Sequence, residues 1–457
     1  MRERKDHRQT TAIVYAYVAS CAVWLLLGSL YGVILAWKLV YPDALTIELL
    51  SYGRIRPVHT ASLLLGFLSL GLTGLAYLVV NRTAERPIWS PALAFAGLAL
   101  WNGALIAGLV TLSLGTTRGP IEYREWITPV AVVFAVGALI NGLNILLTLI
   151  RRPVPELYIS NWFILAGFAC LPVLYLVAYL PAFATGSANI IIQGYYMHVV
   201  LGLWFTPLIL GITYWALPIL LDKPIYSYGL GVLAFWGNLV FYSLIGAHHF
   251  IFAPTPWWLQ STAILVGLGM MVPVWASTGN FLLTMRGSWR YIRHEPAGWF
   301  LLSGALMYGL ASTQGTLQAF RPINLLVHFT NYTVGHAHFA AYGFVSFLLF
   351  GAVYALVPRL TRRSCPKALA AIHFWLALVG LALYVSAMTI AGVRQGLGWT
   401  SGAAFIDSVT AIAPWYLLRA IGGSLMALSH VVFAFNLWCM RPHAIRAAAV
   451  AAQRAPA

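Results

Sequence analysis

The chain has 457 residues, of which 61% are hydrophobic and only 8% are charged. An ordinary soluble domain carries roughly 25% charged residues, so the composition excludes a soluble globular protein and predicts an integral membrane protein. The formal net charge is +16, but the basic residues are spread over the loops between apolar stretches. This distribution argues against nucleic-acid binding, which requires a continuous basic face.

Apolar stretches of membrane-spanning length follow one another along the whole chain. A helix of about 20 apolar residues crosses a bilayer. The predicted spans are 11–38, 58–80, 90–114, 127–150, 159–181, 192–220, 229–252, 261–285, 297–319, 331–357, 367–393 and 410–440. The sequence therefore predicts one all-α membrane domain over residues 1–457, a bundle of twelve transmembrane helices with short terminal tails.

The distribution of Lys and Arg predicts the orientation of this bundle. When the loops are assigned to alternate sides, 19 of the 27 basic residues fall on the side that holds both termini. Basic residues are concentrated in cytoplasmic loops, so we expect a multi-pass protein of the bacterial inner membrane with both termini in the cytoplasm.

The four cysteines, Cys21, Cys170, Cys365 and Cys439, are isolated from one another. Without a CxxC or CxxCH motif, the chain encodes neither a thiolate metal site nor a covalently attached c-type haem. Any c haem must belong to another subunit.

Six histidines lie inside the predicted spans, and all six lie towards the outer end of their helices. They are His59, His198, His248, His249, His336 and His338. A polar side chain at bilayer depth costs a few kcal/mol unless it is paired or bound. A single membrane histidine usually bonds to a neighbouring helix, but six at one depth predict bound metal or haem.

The spacing of these histidines indicates several cofactors. His336 and His338 point about 200° apart on a helix, so one helix can hold two haems, and His59 is free to be the second axial ligand of one of them. The other haem would keep an open face for a substrate. His198, His248 and His249 could surround a copper ion. Tyr242 lies about two turns deeper than His249, where a phenol can supply an electron and a proton.

Longer motifs then match a known family. They are GRIRPVHT at 53–60, EYREW at 122–126, YISNWF at 158–163, KPIYSY at 223–228, FYSLIGAHH at 241–249, HFTNYTVGHAH at 328–338, RQGLGW at 394–399 and RAIGG at 419–423. Through these motifs the chain resembles the catalytic subunit of C-family (cbb3-type) haem-copper oxygen reductases. The resemblance covers nearly the whole chain.

The resemblance implies a role for each histidine. His59 and His338 would hold the low-spin haem b, His336 would be the proximal ligand of the high-spin haem b3, and His198, His248 and His249 would bind copper (CuB). Tyr242 would be the redox tyrosine, covalently joined to His198.

The resemblance also implies roles for residues near the outer surface. Arg54, Arg56 and His328 would lie at the haem propionates, and Glu122 would lie beside a calcium ion near them.

Two positions depart from the family pattern. Gln314 replaces the usual glutamate that hydrogen-bonds the proximal histidine of haem b3, and Asn331 stands where an aspartate is common. A neutral amide makes the imidazole less basic than a carboxylate does, so we expect a higher haem b3 potential.

The predicted reaction is reduction of O2 to water, with electrons from a separate c-type cytochrome subunit or another electron-donor subunit. Protons would come from the cytoplasm, and Tyr226, Ser227, Tyr228 and Asn238 are candidates for their route. One alternative is a nitric oxide reductase of the same superfamily, which Gln314 keeps open although Tyr242 favours oxygen. A second is a polytopic transporter without haem, which usually carries broken helices and intramembrane acids that we do not find here.

Overall fold

The computed structural model describes residues 2–119, 121–180 and 185–442, and of residues 2–5 only the backbone. Within these ranges twelve long helices follow one another. They are α1 (Arg2–Lys38), α2 (Tyr52–Thr83), α3 (Pro91–Ser113), α4 (Thr128–Ile150), α5 (Ile159–Tyr179), α6 (Gly186–Leu221), α7 (Tyr228–Ile245), α8 (Trp257–Met285), α9 (Pro296–Gln318), α10 (Asn331–Thr361), α11 (Lys367–Thr400) and α12 (Phe405–Cys439). The all-α membrane fold is thus confirmed. Of the predicted C-terminal tail, residues 443–457 lie outside the described ranges.

Eleven helical segments in the described part of the chain are long and apolar enough to cross a membrane. The one predicted span missing from these eleven is 297–319, which corresponds to α9. This helix has 23 residues but is less apolar than the others. Its last turns contain Gln314 and Thr316, which bond to His336 and to the Gly267 carbonyl. The polar end of α9 therefore serves contacts inside the bundle.

Several predicted boundaries were wrong. Helix α2 begins at Tyr52 rather than 58, α11 continues to Thr400, and α12 begins at Phe405. Backbone hydrogen bonds continue past the apolar stretch that hydropathy detects, so hydropathy shortens these helices. The seventh span differs in kind, because its α-helix ends at Ile245 and a 3₁₀ turn, Gly246–Phe250, carries the two adjacent histidines.

Large apolar side chains cover the outside of the bundle. Leu30, Ile106, Leu176 and Leu265 are each more than half exposed. Such a surface is unfavourable in water but matches the hydrocarbon of a bilayer, where each helix already satisfies its own backbone. The exposed residues therefore mark the face that contacts lipid.

Three helices form the centre of the bundle. In α2, α6 and α10, 89% of the most apolar window is buried, against 33–44% in the other apolar helices. All three widen into π-helix just beyond a histidine. These segments are Ser62–Leu68 after His59, Leu201–Phe205 after His198 and Phe339–Ser346 after His338. Such insertions turn the following residues relative to the helix axis and are frequent at functional sites.

Candidate metal centre

Three imidazoles, from α6 and from the turn Gly246–Phe250, meet in one cluster inside the bundle. His198 Nδ1 lies 2.7 Å from His249 Nε2 and 3.0 Å from His248 Nε2. One nitrogen from each ring lies within 4.8 Å of the others, as in a metal site. Imidazole nitrogens are good copper ligands, and the three nitrogens that converge here fit one copper ion.

Glycines allow the two halves of this cluster to approach. A Cβ at Gly246 would lie 2.6 Å from the Cα of Tyr195, and one at Gly194 would lie 2.5 Å from the Phe250 ring. Neither position can hold a side chain without moving α6 away from the turn Gly246–Phe250. The close packing of these backbones brings His248 and His249 to His198.

Tyr242 lies against the same cluster. Its ring centroid is 5.3 Å from that of His198. The ring is packed directly on the α6 backbone, because a Cβ at Gly202 would lie 1.8 Å from Tyr242 Cδ1. The redox tyrosine suggested by the sequence is thus adjacent to one of the three clustered histidines.

His59 and His338 face each other across a gap. Their rings are nearly parallel, at 19°, with centroids 6.4 Å apart. In each ring Nδ1 contacts a carbonyl oxygen, of Gly28 at 2.8 Å and of Val334 at 2.9 Å, which leaves Nε2 as the free ligand atom. A metal ion bound by both rings would have an imidazole–metal bond of about 2 Å on each side, and each ring centre lies about 1 Å from its nitrogen. The two ring centres should therefore be about 6 Å apart. The gap therefore fits one haem iron.

His336 points away from this pair. Its Nδ1 lies 3.1 Å from Gln314 Oε1 on α9, which again leaves Nε2 free. Gly315 lies beside the ring, where a Cβ would be 2.9 Å from His336 Cε1. The two histidines of GHAH thus contact different partners, as two separate haem sites require.

The residues near the outer surface that the family resemblance assigns to propionates and calcium contact other residues of the protein. Arg54 pairs with Glu48, Arg56 pairs with Glu122, and the His328 ring stacks on Phe329 at 3.9 Å. Among the described residues, the only group of three or more potential metal-ligating side chains is the histidine cluster. The Glu122 carboxylate is therefore placed in an ion pair and not in a group of acidic ligands.

Sequence reasoning overlooked two charged residues near the site. Glu125 lines a cavity of about 20 Å³, large enough for one water, together with Thr60 and Tyr196. Burial raises the pKa of this carboxyl to about 7. The signal was its position in the motif EYREW, where only Glu122 was assigned a role.

The second overlooked residue is Arg419. It is 9% exposed, and its guanidinium lies 5.5 Å from the ring of Tyr384, which packs on His338. Within the described ranges its Nε has no hydrogen-bond partner. A buried cation beside the paired histidines fits an acidic group of a haem. The signal was the intramembrane Arg in the motif RAIGG.

Comparison with known proteins identifies the family. The family model for cytochrome c and quinol oxidase polypeptide I matches residues 12–425. This chain is a haem-copper oxidase subunit I. The family membership confirms the haem-copper oxidase resemblance noted in the sequence and gives no support to the transporter alternative.

Individual relatives agree with this assignment. The cbb3-type cytochrome c oxidase subunit CcoN1 of Stutzerimonas stutzeri is 30% identical, covering 93% of this chain and 94% of the relative. Cytochrome c oxidase subunit 1 of Rhodobacter capsulatus is 31% identical, covering 93% and 84%. A chain from a solved heme-copper terminal oxidase dimer has a TM-score of 0.74 at 16% identity, covering 94% and 84%, and shows the same fold.

Proposed function

We propose that this oxidase subunit I is the catalytic subunit of a cbb3-type oxidase that reduces O2 to water. The observation that carries the proposal is the contact of Tyr242 with a cluster of three imidazoles, beside a facing histidine pair that fits a haem iron. The subtype is supported by the first relative named above and by the position of Tyr242 on the seventh helix, α7, which is where the resemblance to the cbb3-type family implies the redox tyrosine.

The free ring nitrogens support the ligand assignment that the family resemblance implies. His59 and His338 would hold the low-spin haem b, and His336 would hold the high-spin haem b3. His198, His248 and His249 would bind CuB. When bound, the low-spin haem relays electrons, and the second haem with copper supplies the site where O2 is reduced.

Tyr242 would donate both a proton and an electron during cleavage of the O–O bond. Complete reduction of O2 consumes four electrons and four protons and releases two waters. The phenol is available for this step because its ring lies beside His198 and inside the bundle. Arg419 would neutralise a haem propionate, since its buried Nε has no other partner among the described residues.

Polar side chains below Tyr242 offer a route for protons. Tyr214 Oη lies 3.2 Å from Ser277 Oγ, and one turn further along α8 Asn280 bonds to both backbone groups of Ser227. Of the residues expected from the sequence, Ser227 takes part in these bonds, and Asn238 is buried on α7. Tyr226 and Tyr228 are exposed at the surface and would be at most the entrance of such a route.

Turnover with each gas tests this function. Reduced protein should consume O2 faster than it forms N2O from NO, and Tyr242→Phe should lower O2 reduction by about tenfold or more while haem and copper content stay unchanged. The control is Tyr41→Phe, which alters an exposed phenol outside the proposed proton route.

Faster N2O formation than O2 uptake, unaffected by Tyr242→Phe, would favour the nitric oxide reductase alternative instead. Gln314 at the proximal histidine is the observation that keeps this alternative open. Against it, the three-histidine cluster includes no carboxylate among the described residues.

A further inference from the structure

Two buried histidines on the last two helices have no role in the centre described above. His373 lies on α11 and His430 on α12, and their residues are 0% and 4% exposed. Keeping an imidazole in the core of a membrane bundle is costly unless its nitrogens are partnered. The contacts of His430 therefore indicate what this residue does.

His430 lies between α1, whose Gly28 carbonyl contacts His59, and α10, which carries His338. Its Nδ1 is 2.6 Å from Ser29 Oγ on α1, and its Nε2 is 2.8 Å from Tyr342 Oη on α10. Ser29 follows Gly28, whose carbonyl contacts His59, and Tyr342 lies four residues beyond His338. The imidazole is thus connected to both sides of the low-spin haem site without contacting a haem ligand.

The hydrogen-bond network assigns the tautomer of the neutral ring. Ser29 donates its only hydroxyl hydrogen to the Leu25 carbonyl at 2.6 Å, so its oxygen accepts from His430 Nδ1–H. Nε2 is then unprotonated and accepts the hydroxyl hydrogen of Tyr342. The neutral imidazole is fully hydrogen-bonded in this state.

The same cluster can also satisfy a protonated ring. Ser429 donates its hydrogen to the Met426 carbonyl at 2.6 Å, which leaves its oxygen as an acceptor 3.3 Å from Tyr342 Oη. If Nε2 gains a proton, the Tyr342 hydroxyl can turn its hydrogen towards Ser429 and accept from Nε2–H. A purely structural link between helices would need only the first arrangement.

We propose that His430 is a proton acceptor coupled to reduction of the low-spin haem, an inference that rests on the proposed function. When an electron from the donor subunit reduces the haem that His59 and His338 would hold, one proton from water on the side of Lys367 would bind His430 Nε2, giving an imidazolium. The added negative charge on the haem offsets the cost of burying this cation. No other group is oxidised or reduced in the step.

The neighbours of His430 are consistent with this exchange. Of the titratable groups, Tyr342 on α10 contacts the ring and His373 on α11 lies beyond Phe350, while α1 and α12 contribute the hydroxyls of Ser29 and Ser429. No acidic side chain hydrogen-bonds to it in the described part of the chain. A positive imidazole here is therefore compensated by the haem rather than by a resident carboxylate.

A second polar cluster lies between His430 and the Lys367 end of α11. Tyr354 Oη is 2.9 Å from His373 Nδ1 and accepts from Asn436 Nδ2 at 2.8 Å. Among the described residues, His373 Nε2 and Asn436 Oδ1 are buried without a partner, which is typical of positions that bind internal water. The Phe350 ring separates the two clusters, with centroids 4.6 Å from His373 and 6.1 Å from His430. This second cluster would supply the proton.

The pH dependence of the low-spin haem potential tests the proposal in the purified holoenzyme. Full coupling to one proton changes the reduction equilibrium by about tenfold per pH unit, which is about 59 mV for one electron. We expect the potential to fall clearly with pH in the native protein. The slope should be reduced about twofold or more in His430→Asn and in Ser429→Ala. The control is Ser346→Ala, because Ser346 is also buried but its hydroxyl, among the described residues, bonds only to the Ala341 carbonyl.

Each result decides the proposal. A slope that is absent in the native protein, or equal in the native protein and Ser429→Ala, would overturn it. If His430→Asn fails to assemble, Ser429→Ala still provides the test, since it keeps the imidazole. Absence of a low-spin haem spectrum from the native protein would instead contradict the proposed function, so the two failures are distinguishable.

Discussion

Gln314 contacts His336 through its side-chain oxygen, in a position where a carboxylate would make the imidazole a stronger electron donor. We expect Gln314→Glu to lower the midpoint potential of the high-spin haem, because a more basic ligand stabilises the oxidised iron. The measurement is a redox titration followed by the high-spin absorption. Gln318→Glu, one turn further along α9, is the control, and an unchanged or raised midpoint in Gln314→Glu would show that the amide does not set the potential.

Glu125 makes the stability of the protein depend on pH. Burial raises the pKa of this carboxyl to about 7 in the folded protein, whereas the pKa of a glutamate in the unfolded chain is about 4.3. Between these values the folded state binds more protons than the unfolded state, so the free energy of unfolding falls as the pH rises from 4.3 towards 7.

Removing the charge should remove this dependence. We expect Glu125→Gln to flatten the decrease in apparent Tm between about pH 5 and pH 7, because the amide does not titrate in that range. Thermal unfolding in detergent at several pH values provides the measurement. The exposed Glu156→Gln should keep the native profile, and a profile in Glu125→Gln that matches the native protein would contradict the assignment of the raised pKa.

At the scale of elements, the contact between α6 and α7 depends on one glycine. The ring of Tyr242 occupies the space where a Cβ at Gly202 would lie, 1.8 Å from Tyr242 Cδ1. We expect Gly202→Ala to displace the ring from His198 and to lower O2 turnover by about tenfold or more, with copper still bound by the three histidines. Turnover and metal content measured on the same preparation test this.

A matched substitution separates this effect from a general loss of stability. Gly279 on α8 has open space around it, so Gly279→Ala should retain full turnover. If Gly202→Ala retained the same turnover as Gly279→Ala, the position of the Tyr242 ring would not depend on the close approach of α6.

At the scale of the whole molecule, the excess of Lys and Arg on one side predicts that both termini face the cytoplasm. A fluorescent protein fused to the C-terminus should therefore fluoresce in cells, whereas a periplasmic phosphatase fused at the same position should be inactive. The control is the same phosphatase fused after Gly402, in the loop between α11 and α12, which should be active. The opposite pattern would reverse the orientation and place the second polar cluster on the outer side.

The sequence alone determined that the chain is a helical membrane protein, because length and apolar composition decide membrane insertion without reference to tertiary contacts. It also singled out the six histidines as candidate ligands, since polar residues in apolar spans stand out in composition and their helical spacing limits their directions. It could not place helix ends such as Tyr52 and Phe405, where backbone bonding continues outside the apolar stretch.

Only the tertiary structure decided which side chains meet. The parallel rings of His59 and His338, the packing of Tyr242 on Gly202, and the connection of His430 to α1 and α10 all depend on close approach between helices distant in sequence. Arg419 and Glu125 were overlooked as candidate site residues for the same reason, because a charge near the end of a helix or in a loop becomes informative only when its burial and its hydrogen-bond partners are known.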